Sequence, residues 1–337
     1  MTTTTGHARG AVVFSVTNIG DLIQATLTFE AIARRVGVRP VLVTAPAGEV
    51  LMRGNPLLER VDVVRSSHPM IWRIETARHL LAAWRRGGLV VNLEVYPPRW
   101  RFVRRVCRLL GLPRWEIDLP GLLRESAAAA DRRDVRHVSS YYARAVGIDA
   151  PSAPLPQLVV SAGATARVAE RLATWGTADG RPRLVVHPGS SARCPEKRAR
   201  PERFSETLRG ILGDRACTIV MVGSREAREI CERIRREIPP TTDVQNWAGD
   251  LGVDELAALL ASADVFIGND SGPAKIAEAV GTSTVSFWGP TSPRFIGPRG
   301  AAHVTCGFEH PVSAAVAGAL GLLGPGRPSS RRTGGPS

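Results

Sequence analysis

Residues 263–288 constrain the fold more tightly than any other part of the chain. Ala263-Asp264-Val265-Phe266-Ile267 contains a short apolar run of the length of a buried strand. It stops in a polar turn, Gly268-Asn269-Asp270-Ser271-Gly272-Pro273-Ala274-Lys275. Ile276-Ala277-Glu278-Ala279-Val280 then reads as the start of a short helix ended by Gly281. A second strand, Thr284 to Trp288, follows and runs into Gly289-Pro290-Thr291-Ser292-Pro293. Strand, turn, helix and strand in this order belong to a parallel sheet, so the fold class is α/β. The free backbone N–H groups of such a helix start attract anions, phosphate above all. Ligands of open α/β sheets bind at this carboxyl edge.

The same alternation runs through both halves. In the first, strands are expected at Ala11–Val16, Pro40–Thr44, Val61–Val64 and Leu89–Leu93, with a helix over Leu22–Arg35. In the second, strands are expected at Leu184–Val186, Thr218–Val222, Val265–Ile267 and Thr284–Phe287. Helices are expected at Pro201–Leu212, Arg225–Glu237, Val253–Ala261, Pro273–Val280 and Val312–Leu323. Proline and glycine at 150–163 and the polar run 177–182 set the domain boundary in that span. The expected division is 1–160, 161–323 and a disordered tail at 324–337, two domains facing across a cleft.

At 337 residues the chain can build two cores. No apolar run approaches the roughly 18 residues of a membrane span, and no secretory h-region is present near the N-terminus. Five scattered cysteines and seven histidines form no metal-binding pattern, so no metal is expected. Both features point to a cytoplasmic protein. The net charge of +13 is concentrated in residues 1–160, where 22 basic side chains face 13 acidic ones. Such a half suits an acidic partner: a phosphorylated acceptor, an anionic membrane surface or nucleic acid. No nucleic-acid motif accompanies it. Only two of the 44 basic residues are lysine, Lys197 and Lys275.

Candidate site residues cluster in the turns. Gly20 and Asp21 lie where the first strand gives way to the first helix. A carboxylate there serves either as a first-turn helix charge or as a general base. His187-Pro188-Gly189-Ser190-Ser191 ends a strand with small residues and hydroxyls suited to phosphate or sugar. Lys197 and Arg198 bring cations near the same edge, Lys197 as a compact phosphate partner. Glu226, in a further strand-to-helix turn, suits ribose hydroxyls or a plain helix start. Pro97 to Trp115 reads as an amphipathic helix with Trp100, Val103, Cys107 and Leu110 on one face. Its arginines, Arg99, Arg101 and Arg104 among them, suit an acidic acceptor or anionic lipid.

The series His187-Pro188-Gly189, Lys197-Arg198, Glu202-Arg203-Phe204, Val222-Gly223-Ser224, Asn246-Trp247-Ala248-Gly249, Asp254 to Leu260, Gly268 to Pro273 and Gly289-Pro290-Thr291 resembles one known family. It is similar to the glycosyltransferases that include the ADP-heptose:lipopolysaccharide heptosyltransferases (glycosyltransferase family 9). Ile19-Gly20-Asp21 and His137 to Ile148 fit more weakly, and the resemblance covers roughly residues 11–323. It implies a GT-B fold of two Rossmann-like domains, acceptor on the first and nucleotide-sugar on the second. It implies an inverting, metal-independent transfer with no cofactor beyond the nucleotide-sugar donor, ADP-heptose foremost.

By this resemblance Asp21 is the catalytic base. Ser190, Ser191, Lys197 and Arg198 bind the donor diphosphate, Glu226 the ribose, and Leu251 lies beside the nucleobase. Asp270, Ser271, Gly272, Pro273 and Lys275 belong to the loop around sugar and diphosphate. Gly20, Arg99, Arg101 and Arg104 are the acceptor-side candidates. The family usually has histidine where this chain has Lys275, a fixed charge in place of a titrating one. The expected partners are the nucleotide-sugar and an acidic or glycan acceptor, the receiving hydroxyl belonging to a glycoconjugate or a natural product, with a peripheral contact at the inner face of the membrane and no nucleic acid. A sugar-nucleotide epimerase of the same fold and a non-catalytic binder of anionic ligands are the competing readings.

Overall fold

The computed structural model describes residues 9–66, 68–129, 134–149, 154–175, 180–191, 194–300 and 302–324. Except for Gly324, the expected tail lies outside them, as do parts of the expected boundary spans. The chain divides into two compact units, Met1–Val159 with Arg294–Ile296, and Val160–Pro293 with Gly297–Ser337.

The first unit runs β1 (Ala11–Ser15), α1 (Ile19–Ala25), α2 (Phe29–Val36), β2 (Val41–Thr44), α3 (Pro46–Met52), β3 (Arg60–Val63), α4 (Pro69–Arg85), β4 (Leu89–Asn92), α5 (Pro97–Leu109), β5 (Arg114–Glu116), α6 (Leu119–Ala128) and α7 (Ser139–Ala145). Its five strands form one parallel sheet in the order β3-β2-β1-β4-β5. Every residue of β2 and β4 is buried, as expected of strands covered on both faces. Phe14, Val43, Trp72, Leu80, Val90, Val103 and Cys107 make one apolar core. The α5 helix opens with proline, whose missing N–H is no loss in a first turn, and buries Trp100, Val103 and Cys107.

The helix expected over Leu22–Arg35 is broken. Thr26 and Thr28 turn their hydroxyls back onto the carbonyls of Ile23 and Ala25, both at 2.7 Å. These local bonds compete with the helical ladder, and a tight turn at Thr26–Thr28 separates α1 from α2. Gly37, at φ +76°, ends α2 in the left-handed conformation.

The second unit runs α8 (Ala162–Thr174), β6 (Arg183–His187), α9 (Pro201–Asp214), β7 (Thr218–Met221), α10 (Arg228–Arg236), β8 (Asp243–Asn246), α11 (Val253–Ala261), β9 (Val265–Asn269), α12 (Gly272–Ala279), β10 (Ser283–Trp288), α13 (Pro293–Ile296), β11 (His303–Gly307) and α14 (Val312–Leu323). Six parallel strands pair in the order β11-β10-β9-β6-β7-β8. The core includes Leu184, Val186, Phe204, Ile219, Met221, Ile267 and Phe287. The Phe204 and Phe287 rings meet edge to face at 5.0 Å.

Three strands have no counterpart in the sequence reading: β5, β8 and β11. Each is the last strand at one edge of its sheet. All three are mostly half-buried and carry no unbroken apolar run. The helix expected at Arg225–Glu237 starts with a tight turn at Arg225–Ala227 before α10.

Both sheets reverse their strand order at one place, between β1 and β4 in the first unit and between β6 and β9 in the second. In open α/β sheets the crevice at the carboxyl end of such a switch point is where ligands bind. Asp21 follows β1 and Asp270 follows β9, so each unit sets one of the sequence-derived carboxylates at its own switch point.

Candidate functional site

In the second unit the switch point is built by Asn269, the last residue of β9. Its carboxamide donates to the carbonyls of Pro188 and Gly189, both at 2.9 Å, and accepts the Ala199 N–H at 3.0 Å. One fully buried side chain therefore ties the β9 end to the turn after β6 and to the segment carrying Lys197.

Asp270 is the next residue. Its Oδ2 accepts from Lys197 Nζ at 2.7 Å and from Thr291 Oγ1 at 2.8 Å, while its N–H donates to the Phe287 carbonyl at 3.2 Å. The Asp270 side chain is 6% exposed and that of Lys197 23%. The lysine is thus held by a nearly buried carboxylate while its side chain stays partly exposed. Thr291 entered the sequence reading only within a motif, and the structure makes it a direct partner of Asp270. Ser271 caps α12 with extended backbone angles; its Oγ donates to the Asn269 carbonyl at 3.0 Å and lies 3.3 Å from His187 Nδ1. Burial, and secondarily the Arg198 charge, push the His187 imidazole down to about 4, so it is neutral at ordinary pH.

Gly272 and Pro273 form the first turn of α12. Lys275, one turn on, is 6% exposed at its side chain, with Nζ 3.8 Å from Glu278 Oε2. Glu278 Oε1 accepts the Arg299 N–H at 3.0 Å. A charge that sequence reasoning assigned to the phosphate loop is in this structure paired with a buried carboxylate of its own helix.

The remaining donor-side candidates lie on neighbouring turns. Ser190 donates to the Cys194 carbonyl at 3.1 Å, and Ser191 is exposed. Arg198 is half-buried, with a buried Nε that has no hydrogen-bond partner. Glu226 is exposed and hydrogen-bonded by Ser224, which holds its carboxyl below the usual range. Leu251 is half-buried, two residues after Gly249. Gly249 stands at φ +82° and donates to the Gly223 carbonyl at 2.8 Å, and an added Cβ would come within 2.9 Å of the Arg225 backbone. These two strand-end turns approach so closely only with glycine at that position.

The first unit's switch point is different in kind. Asn18, at the N-cap of α1, is extended and makes no side-chain cap bond; Gly20 and Asp21 sit in the first turn, half-buried. Across the switch point, Phe14 pairs with Asn92, and the Leu93 N–H donates to the Phe14 carbonyl at 3.0 Å. Two residues beyond Phe14 and Asn92 come Val16 and Glu94. The Val16 N–H donates to Glu94 Oε1 at 2.6 Å, and Arg99 donates to the Val16 carbonyl at 3.1 Å. Glu94 is fully buried; burial above all pushes its carboxyl up to about 7, against the pull of the Val16 N–H and Arg99. The neighbouring charge of Asp21 adds to the upward push.

The three arginines of α5 go separate ways. Arg99 reaches the switch point and lies 5.4 Å from the Trp72 ring. Arg101 is exposed. Arg104 packs over Trp100 at 4.9 Å and reaches Glu116 at 3.4 Å.

Sequence reasoning passed over Glu94, Gln24 and Tyr142. All three are buried, and the Glu94 Oε2, both Gln24 amide atoms and the Tyr142 hydroxyl have no hydrogen-bond partner. The available signal was the acidic residue placed directly after the apolar run Leu89–Leu93. Among the described residues, no group of three or more His, Cys, Asp or Glu is arranged to hold a metal. Among them, too, no helix is long and apolar enough to cross a membrane.

The sequence model of glycosyltransferase family 9 (heptosyltransferase) matches residues 120–317, more than half of the chain. Lipopolysaccharide heptosyltransferase 2 of Escherichia coli K12 is 28% identical over 147 residues; the matched stretch covers 42% of this chain and 40% of that protein. The chain therefore aligns with less than half the length of this curated relative. In fold, it is similar to a family 9 glycosyl transferase from Veillonella parvula, with a TM-score of 0.71 at 20% identity over 89% of this chain and 86% of that one. It is also similar to E. coli ADP-heptose lps heptosyltransferase II, with a TM-score of 0.69 at 18% identity over 93% and 98% of the two chains.

Proposed function

This chain belongs to glycosyltransferase family 9, the heptosyltransferases, and from that premise we propose that it transfers a sugar from a nucleotide-sugar to a hydroxyl of an acidic or glycan acceptor, with inversion and without a metal. The second unit takes the donor and the first the acceptor. ADP-heptose is the donor to test first, since the E. coli protein of similar fold carries it in its name.

The observation that carries the reading is the Lys197–Asp270–Thr291 cluster ahead of α12. Transfer breaks the bond between the anomeric carbon and the diphosphate, and the electron pair leaves with the phosphate oxygen. That growing charge needs preorganised cations and N–H groups. A partly exposed lysine, its ammonium already oriented by a buried carboxylate, suits the task, and the start of α12 adds its dipole. On the acceptor side the hydroxyl oxygen bonds to the anomeric carbon as its proton passes to Asp21. A half-buried carboxylate in a first helical turn is suited to that role. The basic first half favours an acidic acceptor and a contact with the cytoplasmic face of an anionic membrane.

Thermal-shift titration with ADP, UDP, GDP and dTDP tests the donor site. Selective stabilisation by ADP, and more strongly by ADP-heptose, is the expected result. Preference for another nucleotide overturns the heptose assignment, and no shift with any nucleotide overturns the donor site. Product analysis without acceptor separates the epimerase reading, because an epimerase turns over the nucleotide-sugar alone.

A further inference from the structure

Helix α4 has no part in the reading so far, and its two sides are both apolar. Trp72, Thr76, Leu80 and Ala83 are buried at helical spacing, against the core of the first unit. On the opposite side Met70, Ile74, Ala77, Leu81 and Trp84 fall at i, i+4, i+7, i+11 and i+14, one stripe along about 21 Å of helix. Met70, Ile74 and Trp84, with Ile71 on the flank, are each between 48% and 59% exposed. Ala77 and Leu81 are half-buried. Arg78 and Arg85 border the stripe on the Ile71 flank and Arg73 borders it on the other; all three are exposed. An apolar strip left open along a whole helix marks a docking surface.

The charge beside it selects the occupant. Helix α5 packs against α4, with Trp72 and Phe102 edge to face at 5.2 Å, and exposes Arg101, Arg105 and Arg108 together with Leu109. The one acid on either helix is Glu75, half-buried and accepting the Ser66 N–H at 3.2 Å. Among the described residues none of these six exposed arginines is paired with an acid. On α10, by contrast, Arg228, Arg233 and Arg235 all reach carboxylates, those of Asp250, Glu202 and Glu232. A second copy seated here about a two-fold axis would set arginine against arginine. A bilayer of anionic lipid takes both features at once. Apolar side chains enter the acyl boundary, tryptophan rests at headgroup level, and arginines meet lipid phosphates.

We propose that the open side of α4, with the α5 arginines beside it, docks on an anionic bilayer, Met70, Ile71, Ile74 and Trp84 entering the headgroup boundary. The inference deepens the membrane contact proposed above and rests on that reading. It changes the nature of the contact. Arginines alone would hold the protein by a charge that salt screens, whereas the α4 stripe adds apolar burial that salt does not release.

The test is flotation of the full chain with vesicles of phosphatidylcholine alone and of phosphatidylcholine containing about 30% phosphatidylglycerol. The parent is expected to float with the second and not the first. Ile71→Ser combined with Ile74→Ser is expected to weaken partitioning about tenfold or more, and to leave a remainder that salt abolishes. Arg78→Gln combined with Arg85→Gln is expected to weaken it about tenfold or more at low salt. All four positions are exposed, so the melting temperature should match that of the parent; should either pair lower it, Ile74→Ser and Arg78→Gln alone take their place. Binding lost with the arginines but unmoved by the serines overturns the insertion and leaves an electrostatic membrane contact standing. Binding that neither pair changes puts the contact on another surface and overturns this inference alone. A parent that floats with neither vesicle overturns the inference and the membrane contact together, while the nucleotide thermal shifts judge the donor site separately. A dimer in sedimentation that the two serines abolish gives this face to a second copy, and also overturns the inference.

Discussion

The two switch points share one topology and handle polarity in opposite ways. In the second unit, Asn269, Asp270, Lys197, Thr291 and Ser271 bond to one another and to nearby backbone, so the loop is tied together by its own hydrogen bonds. In the first, Glu94 Oε2, Gln24 and Tyr142 are sealed without protein partners, and the charges are set by burial instead of pairing. A donor with a fixed diphosphate is best met by a rigid cradle. A base must hold a proton for part of a cycle, and an incompletely satisfied environment tunes it more finely. Under the proposed assignment of donor and base, the difference puts preorganisation on the donor side and the tuning of proton affinity on the other.

The most severe way to break this comparison is Asp21→Asn. Transfer is expected to fall by about 10²- to 10⁴-fold while the thermal shift on nucleotide binding stays as in the parent. A parallel loss of nucleotide binding would erase the separation of tasks.

Lys197→Ala acts on the other side. Donor affinity is expected to drop about tenfold or more, since one charge-assisted contact is lost. The melting temperature also falls, because Asp270, nearly buried, keeps only the Thr291 hydroxyl on that oxygen. Unchanged nucleotide affinity in isothermal titration would remove Lys197 from the cradle.

Acidity sharpens the contrast, because the two sites respond with opposite sign. The Glu94 carboxyl is raised in the folded protein from an ordinary 4.5 to about 7. Between these values the native state binds more protons than the unfolded chain, so the first unit loses stability as pH rises through the window. The His187 ring is lowered from 6.5 to about 4, so there the unfolded chain binds more protons and the second unit gains stability as pH rises. Each contribution is at most about 3 kcal/mol. Denaturation at pH 5 and pH 8 is expected to give Glu94→Gln its largest advantage over the parent at pH 8, and His187→Gln its largest advantage at pH 5. Equal effects at both pH values would refute the opposed signs.

The smallest effect is expected from Arg101→Ala. The residue is exposed, so stability should hold; only binding to an acidic acceptor or to anionic vesicles should weaken, in a salt-dependent way. Arg99→Ala should affect the first switch point as well, since it loses the Val16 carbonyl bond and the charge that restrains Glu94.

How far the sequence carried depends on where a residue lies. Central strands such as Val265–Asn269 and Leu89–Asn92 were legible because burial on both faces demands unbroken apolar runs. The edge strands β5, β8 and β11 were not, since half-burial leaves a mixed pattern that loops share. In the site, Asp270 and Lys197 announced themselves through a glycine-bearing turn and a rare residue type. Glu94 did not: one acid after a strand is unremarkable until a parallel partner strand sets it against the Val16 N–H, seventy-eight positions away. Lys275 was legible as a charge, but its pairing with Glu278 depends on which way the helix buries that face.

The three residues Arg294–Ile296 count with the first unit although the chain on either side of them belongs to the second. Within the first unit the Val138 N–H donates to the Phe295 carbonyl at 2.7 Å. A ribosome releases the amino-terminal half long before residue 295 emerges. The first unit therefore waits, one strut short, through most of the second unit's translation, and a gene cut at the boundary would yield an amino-terminal fragment that lacks it permanently.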